Sequence, residues 1–90
     1  MDDSLSDKTL KEIQRRCGSS TGGPWKAFVE GRDHTSGSSF IMTGTAELRG
    51  PDIEMSGATD ADLDFISHAK QDIPLLLEEI DRLKRLLKKS

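Results

Sequence analysis

Apolar residues in the last third of the chain recur at alternating spacings of three and four. Seven positions carry this pattern: Ile66, Ala69, Ile73, Leu76, Ile80, Leu83 and Leu87. Such heptad spacing predicts a helix that packs lengthwise against another helix. The sequence Thr59-Asp60-Ala61-Asp62 forms a capping box, so we expect this helix to span residues 59–88. Pro74 lies inside it and predicts a kink or short break around residues 71–73, because proline removes a backbone donor.

The rest of the chain predicts one short helix and three short strands. A narrow apolar stripe predicts a helix over residues 6–17, and Gly18 is suited to end it. Alternation of apolar and polar residues predicts strands at 25–30 and 52–56, and the short segment 39–43, which holds Phe40, Ile41 and Met42, predicts a third. Connections this short favour an antiparallel meander over residues 25–56. Residues 1–5 are expected to be flexible.

These elements combine into a single α+β domain over residues 1–90. Three strands with one apolar face must be covered, and the C-terminal helix is the element long enough to cover them. Additional leucines beside the heptad positions widen the apolar surface of that helix. We therefore predict a short N-terminal helix, a three-stranded antiparallel meander, and a kinked C-terminal helix that packs on the sheet and on another subunit.

Composition narrows the ways in which this chain can be stabilised. Ninety residues form a small core, and Cys17 is the only cysteine, which excludes an internal disulfide. The sequence has neither a CxxC nor an HxxxH spacing, which are the patterns typical of metal sites. We therefore expect no metal and no cofactor. Self-association is the stabilising device that remains, and a homo-oligomer formed through the seven heptad residues is predicted.

Charge and hydropathy give expectations about location and partners. The net charge is −3, which offers no general attraction to nucleic acid or to an anionic membrane. The single cysteine and the absence of a long apolar run favour a reducing, cytoplasmic setting with no membrane contact. We expect the partners to be a second copy of the chain and either a small anionic ligand or a host protein.

A polar segment between the first two predicted strands holds the densest set of potential binding groups. Its arginine, hydroxyls and backbone amides suit a phosphate or carboxylate, and nearby aromatic rings suit a planar base. The candidate ligand-binding residues are Trp25, Arg32, Asp33, His34, Thr35, Ser36, Ser38, Ser39, Phe40, Thr43 and Arg49. Turns also require glycine, serine and aspartate, so the segment 31–39 is either a binding site or a plain turn.

The sequence does not contain a recognisable catalytic motif. Asp33, His34 and Ser36 are the residue types of a hydrolytic triad, but near neighbours in sequence rarely converge as nucleophile, base and orienting group. No Gly-x-Ser-x-Gly elbow is present. We therefore predict a protein that is not an enzyme and has no catalytic residues.

The C-terminal segment resembles the tail of small phage and prophage accessory proteins, including ead-type early proteins. The shared residues are Asp64, Phe65, Ile66, Ala69, Asp72, Ile73, Pro74, Leu76, Leu77, Glu79, Ile80, Arg82 and Leu83. The resemblance covers about a third of the chain and implies a phage-type accessory protein that self-associates through this helix in the host cytoplasm. It implies no catalytic or ligand-binding residue.

Two functions follow as expectations. Accessory proteins of this kind act by capture, so the first is sequestration of a small anionic ligand, such as a nucleotide signal in an anti-defence role. The second is a protein-interaction module that inhibits or redirects a host protein. Its contact surface would be the acidic stretch 52–64, because closely spaced carboxylates attract basic grooves.

Overall fold

A computed structural model of the chain describes residues 5–35 and 37–89. In chain order the elements are α1 (Asp7–Ser19), β1 (Trp25–Phe28), β2 (Phe40–Thr43), β3 (Ile53–Glu54) and α2 (Asp60–Lys89). A short N-terminal helix, a three-stranded antiparallel sheet and a long C-terminal helix confirm the predicted α+β class. Of the residues predicted to be flexible, 1–4 lie outside the described part of the chain.

The sheet has the order β1-β2-β3 with antiparallel neighbours. Ala27 pairs with Ile41 across the first two strands, and Ile41 pairs with Ile53 across the second two. The strands are shorter than the predicted ones. One reason is visible after Phe28, where the Val29 amide donates to the Asp33 carboxylate at 2.9 Å instead of extending the ladder.

One face of the sheet packs against α2 and forms the core. The buried apolar residues there are Ala27, Val29, Ile41 and Leu63, and the last comes from the first turn of α2. Five half-buried apolar side chains surround them, namely Trp25, Ile53, Met55, Ala58 and Ile66. Because this core is small for 90 residues, it supplies limited stability to the chain on its own.

The predicted capping box opens α2. The Thr59 hydroxyl accepts from the Asp62 amide at 3.0 Å, and the Asp62 carboxylate accepts from the Thr59 amide at 3.1 Å. Both bonds satisfy amides that the first turn of a helix leaves without helical partners. The helix then continues through Pro74 to Lys89, so the short break considered for residues 71–73 does not occur.

The first helix ends later than Gly18, the position predicted from the sequence. Ser6 caps its start by accepting from the Thr9 amide, and the helix continues through Gly18 to Ser19. At the far end, the Lys70 ammonium donates to the Ser20 hydroxyl at 2.6 Å and to the Cys17 carbonyl at 3.3 Å. A cation from α2 therefore satisfies this terminus, so a left-handed glycine is not needed there.

Candidate functional site

Arg32 is the centre of the predicted ligand-binding loop, and two carboxylates hold its guanidinium. Nη1 and Nη2 donate to the two oxygens of Asp64 on α2 at 2.9 and 3.0 Å. Nε and Nη2 donate to Asp33 Oδ2 at 3.1 and 3.0 Å. Bidentate pairs of this kind are strong and directional. Arg32 therefore clamps the β1–β2 connection to the first turns of α2.

The same contacts shift the pKa values of the three groups. Hydrogen bonds from Arg32 lower the pKa of Asp33 and of Asp64, because they stabilise the ionised carboxylates. Hydrogen bonds to Asp64 and Asp33 raise the pKa of Arg32. All three groups are charged near neutral pH and form a carboxylate–guanidinium–carboxylate triad with one net negative charge.

The backbone of the connection is also tied to side chains and carbonyls of the connection itself. The Glu30 amide donates to the Ser39 hydroxyl at 3.1 Å, and the Gly31 amide donates to the His34 carbonyl at 2.7 Å. Gly31 has a φ of +85°, a left-handed conformation that glycine adopts without steric cost. These bonds are those of a closed turn, one of the two alternatives that the sequence left open.

The aromatic candidates lie on opposite faces of the sheet. Phe40 stacks on Phe28 with ring centroids 5.4 Å apart, on the face away from α2, and the His34 ring lies 5.5 Å from it. Trp25 belongs to the α2 face, where its indole N–H donates to the Thr21 carbonyl at 3.1 Å. The two rings predicted to stack a base are therefore not brought together.

The remaining predicted ligand residues lie in different surroundings. Thr43 is buried in the interior, and its hydroxyl donates to the Pro51 carbonyl at 2.6 Å, so its position gives no support to a ligand contact. Arg49 pairs with Asp52 at 2.7 Å. Thr35 and Ser38 are exposed on the connection, and Ser36 lies outside the described residues.

A small cavity brings three of the predicted ligand residues together, namely Trp25, Arg32 and Asp33. It lies between β1 and the first turns of α2 and has a volume of about 230 Å³. Its lining residues are Trp25, Lys26, Ala27, Arg32, Asp33, Asp64, Ser67 and His68. Small-molecule sites usually span about 300–1,000 Å³, so this cavity is too small to enclose a nucleotide.

Sequence reasoning missed three residues that organise this region: Asp64, Lys70 and Gln71. The side-chain amide of Gln71 accepts from the Trp25 amide at 2.9 Å and donates to the Trp25 carbonyl at 3.3 Å. The Lys70 ammonium lies 5.4 Å from the Trp25 ring centroid. On a polar helix turn none of these residue types stands out, and only the fold shows that they join α2 to β1 and to the loop.

Several large apolar side chains are exposed along α2. Phe65, Ile73, Leu76, Leu83 and Leu87 are 75, 37, 61, 46 and 74 % exposed. Their spacings of eight, three, seven and four residues place them on one face of the helix. We call these five residues the α2 strip.

The α2 strip differs from the predicted heptad interface at its N-terminal end. Ile66 packs against the core instead of facing outward, and its neighbour Phe65 takes the exposed position. Ala69 and Ile80 are half-buried, while the other four predicted interface residues belong to the α2 strip. The sheet and α1 therefore cover Ile66, Ala69 and Ile80 at least in part, and the other four heptad residues stay exposed.

An apolar groove borders the α2 strip where α1 meets α2. Its volume is about 560 Å³, and α1 contributes Ile13 and Cys17 to its wall. Phe65, Ala69 and Ile73 line it from α2. The groove and the α2 strip therefore form one continuous apolar surface.

Charge is divided between the two ends of the fold. Residues 20–64, which form the sheet and the first turn of α2, contain eight carboxylates and three lysines or arginines. Residues 5–19 and 65–89, which form α1 and the rest of α2, contain six carboxylates and ten lysines or arginines. The sheet end is therefore acidic and the helical end is basic.

No protein-family model, curated protein or solved structure matches this chain. The resemblance to phage early proteins accordingly stays a prediction. Within residues 5–35 and 37–89, neither helix has the length and apolar character that crossing a bilayer requires. The same residues contain no group of three or more His, Cys, Asp or Glu side chains arranged to hold a metal ion. Function must therefore be argued from the surfaces of the chain itself.

Proposed function

We propose that this protein is a non-catalytic protein-interaction module that self-associates, and that the α2 strip is its contact surface. The observation that carries the proposal is the exposure of five large apolar side chains on one helix face, beside a core of four buried apolar residues. Burying a leucine or phenylalanine contributes about 1.5–3 kcal/mol. Covering the α2 strip therefore adds apolar burial of the same order as the core itself.

Capture of an anionic ligand has less geometric support. A phosphate would have to displace Asp33 or Asp64 from Arg32, where the hydrogen bonds are 2.9–3.1 Å long. The cavity beside Arg32 holds about 230 Å³, and Asp64 and Asp33 add negative charge to its wall. Ligand capture stays a prediction from the sequence.

The acidic stretch 52–64 is also less suited to be the contact surface than the α2 strip. Three of its carboxylates have partners within the fold: Asp52 pairs with Arg49, Asp62 caps α2, and Asp64 pairs with Arg32. These contacts already account for part of the negative charge that a basic partner would have to recognise. Within the α2 strip, by contrast, Phe65 and Leu76 are 75 and 61 % exposed.

A matched pair of substitutions tests the proposal. Leu75 and Leu76 are neighbours with exposures of 62 and 61 %, but they point about 100° apart around α2, and only Leu76 belongs to the α2 strip. In sedimentation velocity, we expect Leu76→Glu to raise the concentration needed for association by about 100-fold or more, because it places a charge in an apolar contact.

The control variant Leu75→Glu introduces the same charge at the same exposure outside the α2 strip. We expect it to change the association constant by less than about 3-fold, the range of a surface substitution. Equal effects of the two variants, or an effect of Leu75→Glu alone, would contradict the proposal. Circular dichroism of both variants at low concentration establishes that each retains the fold.

A further inference from the structure

The charges along α2 are segregated. Residues 60–81 contain seven carboxylates and one lysine, whereas residues 82–89 contain five lysines or arginines and no carboxylate. Within the fold, Arg82, Lys84 and Arg85 pair with Glu79, Asp7 and Asp81, and the C-terminal end still holds more cations than their partner carboxylates. A helix that lies along the α2 strip therefore meets three carboxylates at the N-terminal end of α2, four around its middle, and a net positive C-terminal end.

A second copy satisfies this charge pattern in one direction only. If two α2 helices pack parallel, the basic turns of one lie beside those of the other, and the acidic turns also meet. If they pack antiparallel, each basic end lies beside the acidic end of its partner, and the helix dipoles oppose each other favourably. The acidic sheet lies at the same end of the fold as Asp60, Asp62 and Asp64, and it adds to the preference for antiparallel packing.

The sizes of the side chains along the α2 strip also favour antiparallel packing. Leu76 lies at its midpoint, eleven residues from both Phe65 and Leu87. An antiparallel arrangement about Leu76 brings Leu83 of one copy towards Ala69 of the other, where the apolar groove of about 560 Å³ begins. A parallel arrangement places the two small Ala69 side chains together and leaves that groove unfilled, which forfeits packing.

We infer that the occupant of the α2 strip is a second copy of this chain, packed antiparallel with a two-fold axis near Leu76. The inference rests on the proposed function and adds the orientation of the two copies and the position of the symmetry axis. In this dimer each copy fills the groove between α1 and α2 of the other with its C-terminal leucines. Lys88 and Lys89 of each copy lie opposite residues 64 and 63 of its partner, about one turn from Asp60.

Distances between spin labels on the two copies test the orientation. Ala61 and Lys89 are exposed, lie near the two ends of α2 and are outside the α2 strip. A spin label is attached through an oxime bond to p-acetylphenylalanine introduced at position 61 or at position 89, so that Cys17 in the wall of the groove stays unmodified. At a rise of 1.5 Å per residue, the antiparallel dimer predicts about 45 Å between labels at 61 and about 40 Å between labels at 89.

Shorter distances overturn the inference. A parallel dimer brings both label pairs within about 20 Å, because packed helices lie 8–10 Å apart. Loss of a defined distance at concentrations that favour association overturns it as well. Dilution of the labelled chain with excess unlabelled chain must abolish the signal, which establishes that the distance is between copies. The labelled chains must sediment like the unmodified one.

The failure of this inference and the failure of the proposed function can be told apart. Sedimentation of Leu76→Glu and Leu75→Glu reports whether the α2 strip mediates association in any orientation. Label distances report the orientation alone. If association depends on the α2 strip but the label distances are short at both positions, the antiparallel dimer is rejected and the proposed function is retained.

Discussion

The β1–β2 connection and the α2 strip differ in how far the chain itself satisfies their side chains. The connection has the composition of a binding site or a turn, and Arg32, Asp33 and Ser39 form hydrogen bonds within the fold. The heptad positions are predicted to contact another subunit, and Leu76 and Leu87 among them are 61 and 74 % exposed in the single chain. A polar group is satisfied by one directional hydrogen-bond partner, whereas an apolar side chain is stabilised in proportion to the surface area that is removed from water.

That difference explains why the two regions end in different states. One carboxylate on α2 is enough to engage the Arg32 guanidinium through a bidentate pair. No single contact can cover five apolar side chains along more than six turns of helix. The sheet reaches only the first turns of α2, and α1 covers one flank, so the opposite flank remains available for another molecule.

The largest expected effect is the loss of unfolding free energy when a buried apolar residue is shortened, and the same change on the α2 strip is its comparison. Ile41 is fully buried, so we expect Ile41→Ala to lower the free energy of unfolding by about 3 kcal/mol at every protein concentration. Leu76→Ala should leave the dilute protein nearly unchanged and destabilise it only where association occurs, because binding adds to apparent stability by mass action. Urea unfolding at two protein concentrations measures both.

A Leu76→Ala loss that is as large in dilute as in concentrated protein would contradict this comparison. It would show that Leu76 contributes to the fold of a single chain. A loss for Ile41→Ala that disappears on dilution would contradict the position of Ile41 in the core.

An intermediate effect is expected from removing the clamp on the loop. Arg32→Ala should lower Tm by a few degrees, because exposed ion pairs contribute modestly even when they are bidentate. It should also accelerate amide exchange in residues 29–35 and leave sedimentation unchanged. Arg49→Ala is the matched control, since Arg49 has a similar exposure and pairs with Asp52 alone. A change in association state after Arg32→Ala would mean that the loop takes part in the contact surface.

The smallest expected effect is on the acid side of the pH profile. Hydrogen bonds from Arg32 lower the pKa values of Asp33 and Asp64 in the folded chain. Their contribution to stability is therefore complete above the unfolded values, near pH 4, and is lost as the pH falls through the lower folded values. Tm measured between about pH 2 and pH 6 should fall less steeply in Arg32→Ala than in the unmodified chain. Identical profiles would contradict the role of Arg32.

Local signals predicted the elements of this fold well. The Thr59–Asp62 capping box is confirmed by two reciprocal hydrogen bonds, and the alternation of apolar and polar residues at 25–30 and 52–56 lies where β1 and β3 form. The end of α1 was predicted too early, because Lys70, 50 residues beyond Ser20, satisfies its C-terminus. No local pattern around Gly18 reveals that contact.

The candidate site was less predictable, because its decisive contacts are long-range. Arg32 and Asp64 are 32 residues apart, and neither forms part of a motif that would pair them. The heptad pattern indicated the contact face of α2 but did not show how much of it the chain itself would cover. Ile66 and Phe65 illustrate this limit, since the docking of the sheet decides which of two adjacent apolar residues faces outward.

The most direct test of the account is the molar mass of the unmodified chain, measured by light scattering over a concentration series. One chain has a mass of 9.9 kDa. We expect the mass to rise towards about 20 kDa between about 1 µM and about 1 mM, as association through the α2 strip becomes favourable. A mass that stays at that of one chain over the whole series would contradict the central claim that a second copy covers the α2 strip.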